Sequence, residues 1–434
     1  MGTVRIFLAL FVVFGHLPGL AGELNPVGHW MRAEVAVQGF FIISGFYMTL
    51  ILKGKYQSRG IRAFYTARIL KLFPIYYVVL ILSIILYIAI EHFGLTLFEF
   101  RYEPKWKTYD YPIIIFNAWN SMSDRLETTG ILFLLLSHTT LLGQEFASYI
   151  ATSGSGLMSM GEFVKTDGFR DAAVLAYGPD GSVVGEEFQP FKDSTHVTMN
   201  YFLFIPQAWS LGLELLFYLI APAIVYLGRR AVLLLALCAL GVRIYFLEYT
   251  GLGELNFFEY KFFPFELVFF LLGVISYYLY EFIQRTDLKT HGYLQRGALI
   301  FLLLSTLFVA QLPSMNNWIF YGTLAVLMPF AFRFDDPRHD DVSTTWRAKF
   351  ARLDRWLGDL SYPLYISHVM VISVAYGLAY ELVYSAGHVP AQLAIIVVAI
   401  LAAMLLNQFI QQPVERFKAK RSKVPTRAER RRRR

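Results

Sequence analysis

Arg5 and His16 stand eleven positions apart in the first apolar segment, RIFLALFVVFGH. At 100° per residue, eleven steps return to nearly the same face of a helix, about 16 Å further along its axis. Arg5 is then expected at one edge of a bilayer, with His16 on the same stripe and well inside it. Imidazole titrates near neutral pH and can take a proton from a hydroxyl. An ionisable side chain within a membrane marks a functional site by default. The competing readings are a charge anchor for Arg5 and an imidazole satisfied by a neighbouring helix for His16.

Four further groups invite the same scrutiny. The segment GFFIISGFYMTL puts Ser44-Gly45 near the middle of a second span, where small residues usually permit close helix packing. In TARILKLFPIYY, Arg68 and Lys71 share a helix face one turn apart, just before Pro74. Such a pair can grip the phosphates of a cytosolic ligand or simply signal topology. In QAWSLGLELLFYLIAP, Glu214 lies about two turns from the outer end of a span, with Ser210 and Tyr218 at i−4 and i+4. A carboxylate at depth costs about 2.5–3.5 kcal/mol on insertion scales, so Glu214 must be paired, protonated or wet. His368 in SYPLYISHVMV lies about two turns from the cytoplasmic end of its span. Cys238, the single cysteine, has no companion base nearby in sequence and is not expected to be a nucleophile. No metal-ligand cluster is expected.

The elements that must position these residues are membrane helices. Hydrophobic residues make up 56% of the 434 and charged residues 16%, and apolar runs recur to the end of the chain. The bilayer is then the solvent, and an all-α, polytopic transmembrane bundle is the fold class. Segments of spanning length are read at 4–20, 33–52, 72–92, 206–228, 230–248, 262–283, 297–312, 317–333, 361–384 and 390–411, about ten spans in all. The stretch 131–142, ILFLLLSHTTLL, is short for a span and reads as re-entrant or interfacial. The region 53–71 carries six basic and no acidic residues, which places it in the cytoplasm. An even number of spans also puts Arg229–Arg230, the 285–296 turn and both termini there. The tail 413–434, with eleven Lys/Arg against two Glu, is expected to contact membrane lipids at the inner membrane. Nucleic acid is not an expected partner, since nothing else in the chain supports it.

The chain divides accordingly into one transmembrane domain, 1–93 with 201–412, an external loop, 94–200, and the basic cytoplasmic tail. The loop holds seven Lys/Arg against thirteen Asp/Glu, and its second half, 151–200, is rich in Gly, Ser and Asp. No fold is assigned to that half. Arg5, the apolar stretch 6–14 and Leu20-Ala21-Gly22 also resemble a signal peptide, but Gly15, His16 and Pro18 make a poor cleavage region.

Taken in order, these motifs resemble the bacterial acyltransferase family 3, polytopic enzymes that acylate hydroxyls of glycans and lipids. The matching residues are Arg5-x10-His16, FFIISGF with Ser44, the basic pair before Pro74, AWSLGLELLFY with Glu214, and SYPLYISH with His368. The family's basic pair is usually Arg-x-x-Arg, whereas Lys71 here supplies a point charge without the planar fork. The resemblance implies a transferase that moves an acyl group, acetyl in the first instance, from cytosolic acyl-CoA to a hydroxyl of an extracytoplasmic polysaccharide or lipid-linked sugar. Acyl-CoA is then a co-substrate and no cofactor is bound. His16, Arg5 and Glu214 are the expected catalytic residues, and Arg68, Lys71, Ser44 and His368 the expected donor-binding ones. The expected depths run from Arg68 and Lys71 in the cytoplasm, through Ser44 and His368, to His16 and Glu214 in the outer half. The alternative is a transporter or flippase of a glycolipid or organic acid, since intramembrane His and Glu also serve proton relays. Against it, no repeated halves with matching broken helices are visible.

Overall fold

A computed structural model describes residues 1–17, 33–93, 119, 126–152, 157–159, 197–249, 260–286, 292–308, 317–332, 346–385 and 388–423. Helices make the bundle. They are α1 (Gly2–Gly15), α2 (Ala33–Lys53), the short α3 (Lys55–Arg59), α4 (Ile61–Phe93), α5 (Thr128–Thr140), α6 (Trp209–Tyr226) and α7 (Arg229–Tyr249). After these come α8 (Phe263–Gln284), α9 (Gly292–Phe308), α10 (Asn317–Phe332), α11 (Trp346–Ser385), α12 (His388–Leu406) and α13 (Gln412–Lys423). Among the described residues, six helical stretches are long and apolar enough to cross a membrane: Ala33–Lys53, Ile61–Ala89, Pro206–Tyr226, Arg229–Leu247, Phe263–Gln284 and Pro390–Lys420. Gly2–Gly15 and Asn317–Phe332 are shorter apolar helices.

Several boundaries differ from the sequence reading. The basic stretch 53–71 is expected as a loop, yet only Gly54 and Gly60 interrupt helix there, and α4 runs unbroken from Ile61 through Pro74. Gly60 has φ 82°, a left-handed conformation that suits glycine and turns the chain into α4. Likewise α11 begins at Trp346 rather than 361, because WRAKFARLDRWLGDL holds no proline, and Lys349, Arg352, Arg355 and Asp359 are exposed while Asp354 is buried. The first helix stops earlier than expected: His16 is its C-cap rather than a residue within it. Pro18 explains the stop, since the residue before a proline is pushed out of the α region. In the 151–200 stretch, for which the sequence offered no fold, described residues form a small antiparallel sheet in the order β2 (Leu157–Ser159), β1 (Ile150–Thr152), β3 (Val197–Thr198).

Close packing fixes the centre of the bundle. A Cβ on Gly45 of α2 would collide with the backbone of Phe270 in α8, and one on Gly273 of α8 with that of Ile42. The two helices therefore touch backbone to backbone, as small residues allow in membranes. Elsewhere, Asp354 of α11 receives the Met1 ammonium at 2.8 Å, the Gly2 N–H at 2.8 Å and the Thr3 N–H at 2.7 Å. These are the N–H groups that an α-helix leaves unpaired at its start. The carboxylate thus ties α1 to α11.

A second buried lock joins four helices. Arg243 of α7 donates to Glu266 of α8 at 2.9 Å, and Gln38 of α2 donates to the same Glu266 oxygen at 3.0 Å. Tyr321 of α10 donates in turn to Gln38 Oε1. Both charges are buried. A paired arrangement is what makes intramembrane charge tolerable.

Candidate active site

The cavity of interest, about 220 Å³ in volume, lies between α1, α2, α4, α6 and α11. Three cations, Arg5, Arg68 and Lys71, line it together with Ser44, Glu214, Tyr218, Ser210 and Tyr365. Five separate sequence motifs contribute to this one chamber.

Arg68 and Lys71 reach the cavity because the i, i+3 spacing on α4 keeps them on one face. Lys71 is shared between Asp359 at 3.9 Å and Glu415 at 4.0 Å. Arg68 has no carboxylate within salt-bridge distance among the described residues. Its guanidinium lies 6.0 Å from the rings of both Phe64 and Tyr218, and its buried Nε has no hydrogen-bond partner. The guanidinium is half-buried, its Nη1 meets only the Met48 sulfur at 3.9 Å, and its unused Nε donor leaves it able to pair with an anion. Arg5, expected at the level of a helix-end anchor, joins these two cations as a lining residue.

Further along the cavity, Ser44 donates to Glu214 Oε1 at 2.5 Å, and Tyr218 donates to the same oxygen. The dipeptide Ser44-Gly45 therefore splits its work. Gly45 lets α2 meet α8, while Ser44, one position back, points into the cavity. Glu214, one of the expected catalytic residues, is paired with Ser44 of α2 and with Tyr218 of its own helix.

His16 meets a different partner. Its Nδ1 lies 2.7 Å from the carbonyl of Val12 and 3.4 Å from Nε2 of His368. The Nδ1 of His368 lies 2.6 Å from the carbonyl of Tyr365. A carbonyl only accepts, so these contacts assign the Nδ1–H tautomer to both rings. His368 Nε2 is then an acceptor facing the His16 Nδ1–H. His16 Nε2 keeps a lone pair free of any ring partner. The sequence reading put His368 with the donor-binding residues, nearer the cytoplasm than His16; the structure sets it against His16, with ring centroids 5.0 Å apart.

Tyr365 connects the two groups and was not singled out in the sequence. Its hydroxyl is 2.6 Å from Ser210 Oγ and donates to the Gln207 carbonyl at 3.1 Å, and its ring lies 6.0 Å from that of His368. The signal was present in SYPLYISH, where Tyr365 precedes His368 by one helical turn. Arg243 and Glu266 also escaped the sequence reading, although a charge within an apolar span was the very criterion that flagged Glu214. Cys238 is exposed on α7 and is absent from the cavity lining.

An all-helical bundle of apolar spans around a cavity that carries cations, a carboxylate and a nearby histidine pair defines a multi-pass membrane protein with the layout of an enzyme. The family profile for the acyltransferase domain (acyltransferase 3) matches residues 2–408, and the chain belongs to that family. It is a membrane acyltransferase, and the transferred group is not an aminoacyl group. Comparisons with curated proteins and with solved structures found no match.

Proposed function

We propose that this protein is an O-acyltransferase that takes an acyl group, acetyl by preference, from cytosolic acyl-CoA and delivers it to a hydroxyl of an extracytoplasmic glycan or lipid-linked sugar. The observation that carries this reading is the single cavity that joins Arg5, Arg68 and Lys71 to Ser44, Glu214 and Tyr218 and ends at Tyr365, against the His16–His368 pair. The three cations suit the phosphates of a nucleotide donor. Ser44 and Glu214 line the path of the acyl-bearing arm. His16 Nε2 takes the proton from the acceptor hydroxyl as its oxygen attacks the thioester carbonyl, and the thiolate of the donor leaves. His368 Nε2 accepts the His16 Nδ1–H and so stabilises the imidazolium that forms.

The same reading places ten helices across the membrane: α1, α2, α4, α6 to α10, α11 and α12. The 55–71 region, α13 and both termini lie in the cytoplasm, and 94–200 lies outside, with α5 not crossing. An eleventh crossing by α5 would put either the basic 53–71 region or the basic tail outside. Basic residues at the start of α4 and in α13 favour this orientation. Cysteine-accessibility labelling at positions 100 and 180 is expected to find both outside; labelling on opposite sides defeats the topology.

The decisive experiment compares envelope glycans and lipids by mass spectrometry with and without the gene. A species that loses the mass of one acyl group identifies the acceptor. An unchanged acylation profile with a redistributed glycolipid favours a transporter instead.

A further inference from the structure

A second cleft, about 310 Å³ in volume, lies where α12 passes into α13 and shares no lining residue with the cavity described above. The join is a π turn over Asn407–Gln411, in which the Gln412 N–H reaches back five residues to the Asn407 carbonyl. Pro413 accounts for it: the ring has no N–H and clashes with the carbonyl four residues before it, so the regular ladder cannot continue through this point. Such π turns recur at functional sites.

The cleft has two kinds of wall. Leu393, Val397, Leu401, Leu405 and Phe409 repeat every fourth residue and are all exposed, a stripe that runs along α12 to the cleft mouth. Met404 and Phe409 carry that apolar surface into the cleft itself. The other wall is polar: Asn407, Gln408, Gln412 and Arg416, closed by Trp356 of α11. Asn407 is 3% exposed, and its Oδ1 has no hydrogen-bond partner in the protein. A buried acceptor without a donor is costly. Arg416 is exposed at the rim and appears in none of the ion pairs among the described residues.

We infer that this cleft binds one molecule of phosphatidylglycerol from the cytoplasmic leaflet. Its acyl chains lie along the 393–409 stripe, its phosphate meets Arg416, and its glycerol hydroxyls supply donors to the amide wall around Asn407. Charge selects this lipid over a zwitterionic one, because the segment from Pro413 onwards carries eleven Lys/Arg against two Glu and repels an ammonium headgroup. The site also touches the donor end of the enzyme. Glu415, between Gln412 and Arg416 on the first turn of α13, lies 4.0 Å from Lys71, and Gln411 donates to the Asp359 carbonyl at 3.3 Å. A lipid that holds this turn fixes the two carboxylates that flank Lys71.

Binding is read directly, with no dependence on catalysis. Delipidated protein in detergent is incubated with phosphatidylglycerol, phosphatidylethanolamine or phosphatidylcholine of identical acyl chains, and retained lipid is counted by native mass spectrometry. The wild type is expected to keep one phosphatidylglycerol in preference to the other two. Arg416→Gln, at an exposed position that does not threaten folding, is expected to weaken retention about tenfold, the worth of one charge-assisted contact. Asn407→Leu is expected to act in the same direction. Lys420→Gln, an exposed cation of α13 outside the cleft lining, is expected to change nothing. Equal retention of all three lipids, a preference for phosphatidylethanolamine, undiminished retention by Arg416→Gln, or an equal loss in Lys420→Gln each overturns the inference. Because no acyl transfer is measured, failure here is separate from failure of the proposed reaction.

Discussion

His368 Nε2 faces His16 Nδ1 at 3.4 Å, across 352 positions of the chain; His368 gives its Nδ1 proton to the Tyr365 carbonyl, while the His16 Nδ1–H is shared between the Val12 carbonyl at 2.7 Å and His368 Nε2. The geometry fixes the tautomer of His16 and frees its Nε2. The expectation is a division of labour. His16→Gln should lower turnover by about 10²–10⁴-fold, the usual worth of a general base, with membrane insertion intact. His368→Gln should lower kcat less, leave KM for the acyl donor unchanged and shift the pH–rate profile. A steady-state and pH series on purified enzyme checks both; near wild-type turnover in a well-inserted His16→Gln protein refutes the base assignment.

Glu214 binds Ser44 and Tyr218 through one carboxylate oxygen. Glu214→Gln keeps the shape but loses the charged acceptor, so kcat should fall by about tenfold or more while the thermal midpoint moves little. Ser44→Ala removes one of the two donors and should act in the same direction with a smaller effect. A silent Glu214→Gln beside a Glu214→Ala that fails to fold would mark the carboxylate as structural only.

The cations divide along a different line. Arg68 has no carboxylate partner, so Arg68→Ala should raise KM for acyl-CoA about tenfold or more, the scale of a lost charge-assisted contact, with little cost in stability. Lys71 stands between Asp359 and Glu415, so Lys71→Ala should raise KM and also take one cation from each carboxylate, Glu415 keeping Lys418 at 2.8 Å. Lys71→Arg should be tolerated. Isothermal titration with a non-hydrolysable acyl-CoA analogue checks the order; unchanged affinity after both charges are removed excludes a donor site there.

Glu145 follows α5 and is almost wholly buried, accepting the Gly143 N–H at 3.1 Å. Burial pushes its carboxyl up to about 7 from an ordinary 4.5. The folded state therefore holds a proton that the unfolded chain releases earlier. Stability from this group is complete below about 4.5 and is lost as pH rises through about 7. The thermal midpoint of the wild type should fall between pH 5 and about 7.5 more steeply than that of Glu145→Gln, which carries no titrating group there. Parallel slopes in detergent would show that the proton is not held.

The Arg243–Glu266 pair is a stability device, absent from the cavity lining. Removing either partner strands a buried charge, so Arg243→Ala or Glu266→Ala should each cost about 3–5 kcal/mol. Replacing both, as Arg243→Met with Glu266→Leu, should restore much of that loss. A double-mutant cycle followed by detergent unfolding measures the coupling; additive losses contradict the pairing.

The apolar runs of the sequence determined where membrane helices form, because spanning length and hydropathy are local properties and a backbone in lipid has few other ways to satisfy its hydrogen bonds. The residue types of the candidate site were equally legible: a histidine, a glutamate or an arginine in an apolar run stands out by its cost alone. Helix ends were less so. Pro18 ended α1 at Gly15, whereas Pro74 and Pro363 lie within α4 and α11 without ending them, since packing on both sides outweighs one lost bond. Which groups meet was decided only by tertiary structure. Periodicity on α6 aligned Ser210, Glu214 and Tyr218, but nothing in that helix foretold Ser44 as the partner of Glu214, or His368 as the partner of His16. Those contacts join residues 170 and 352 positions apart. They depend on how the glycines of α2 and α8 and the Asp354 cap of α1 bring helices together, and on no spacing within a single segment.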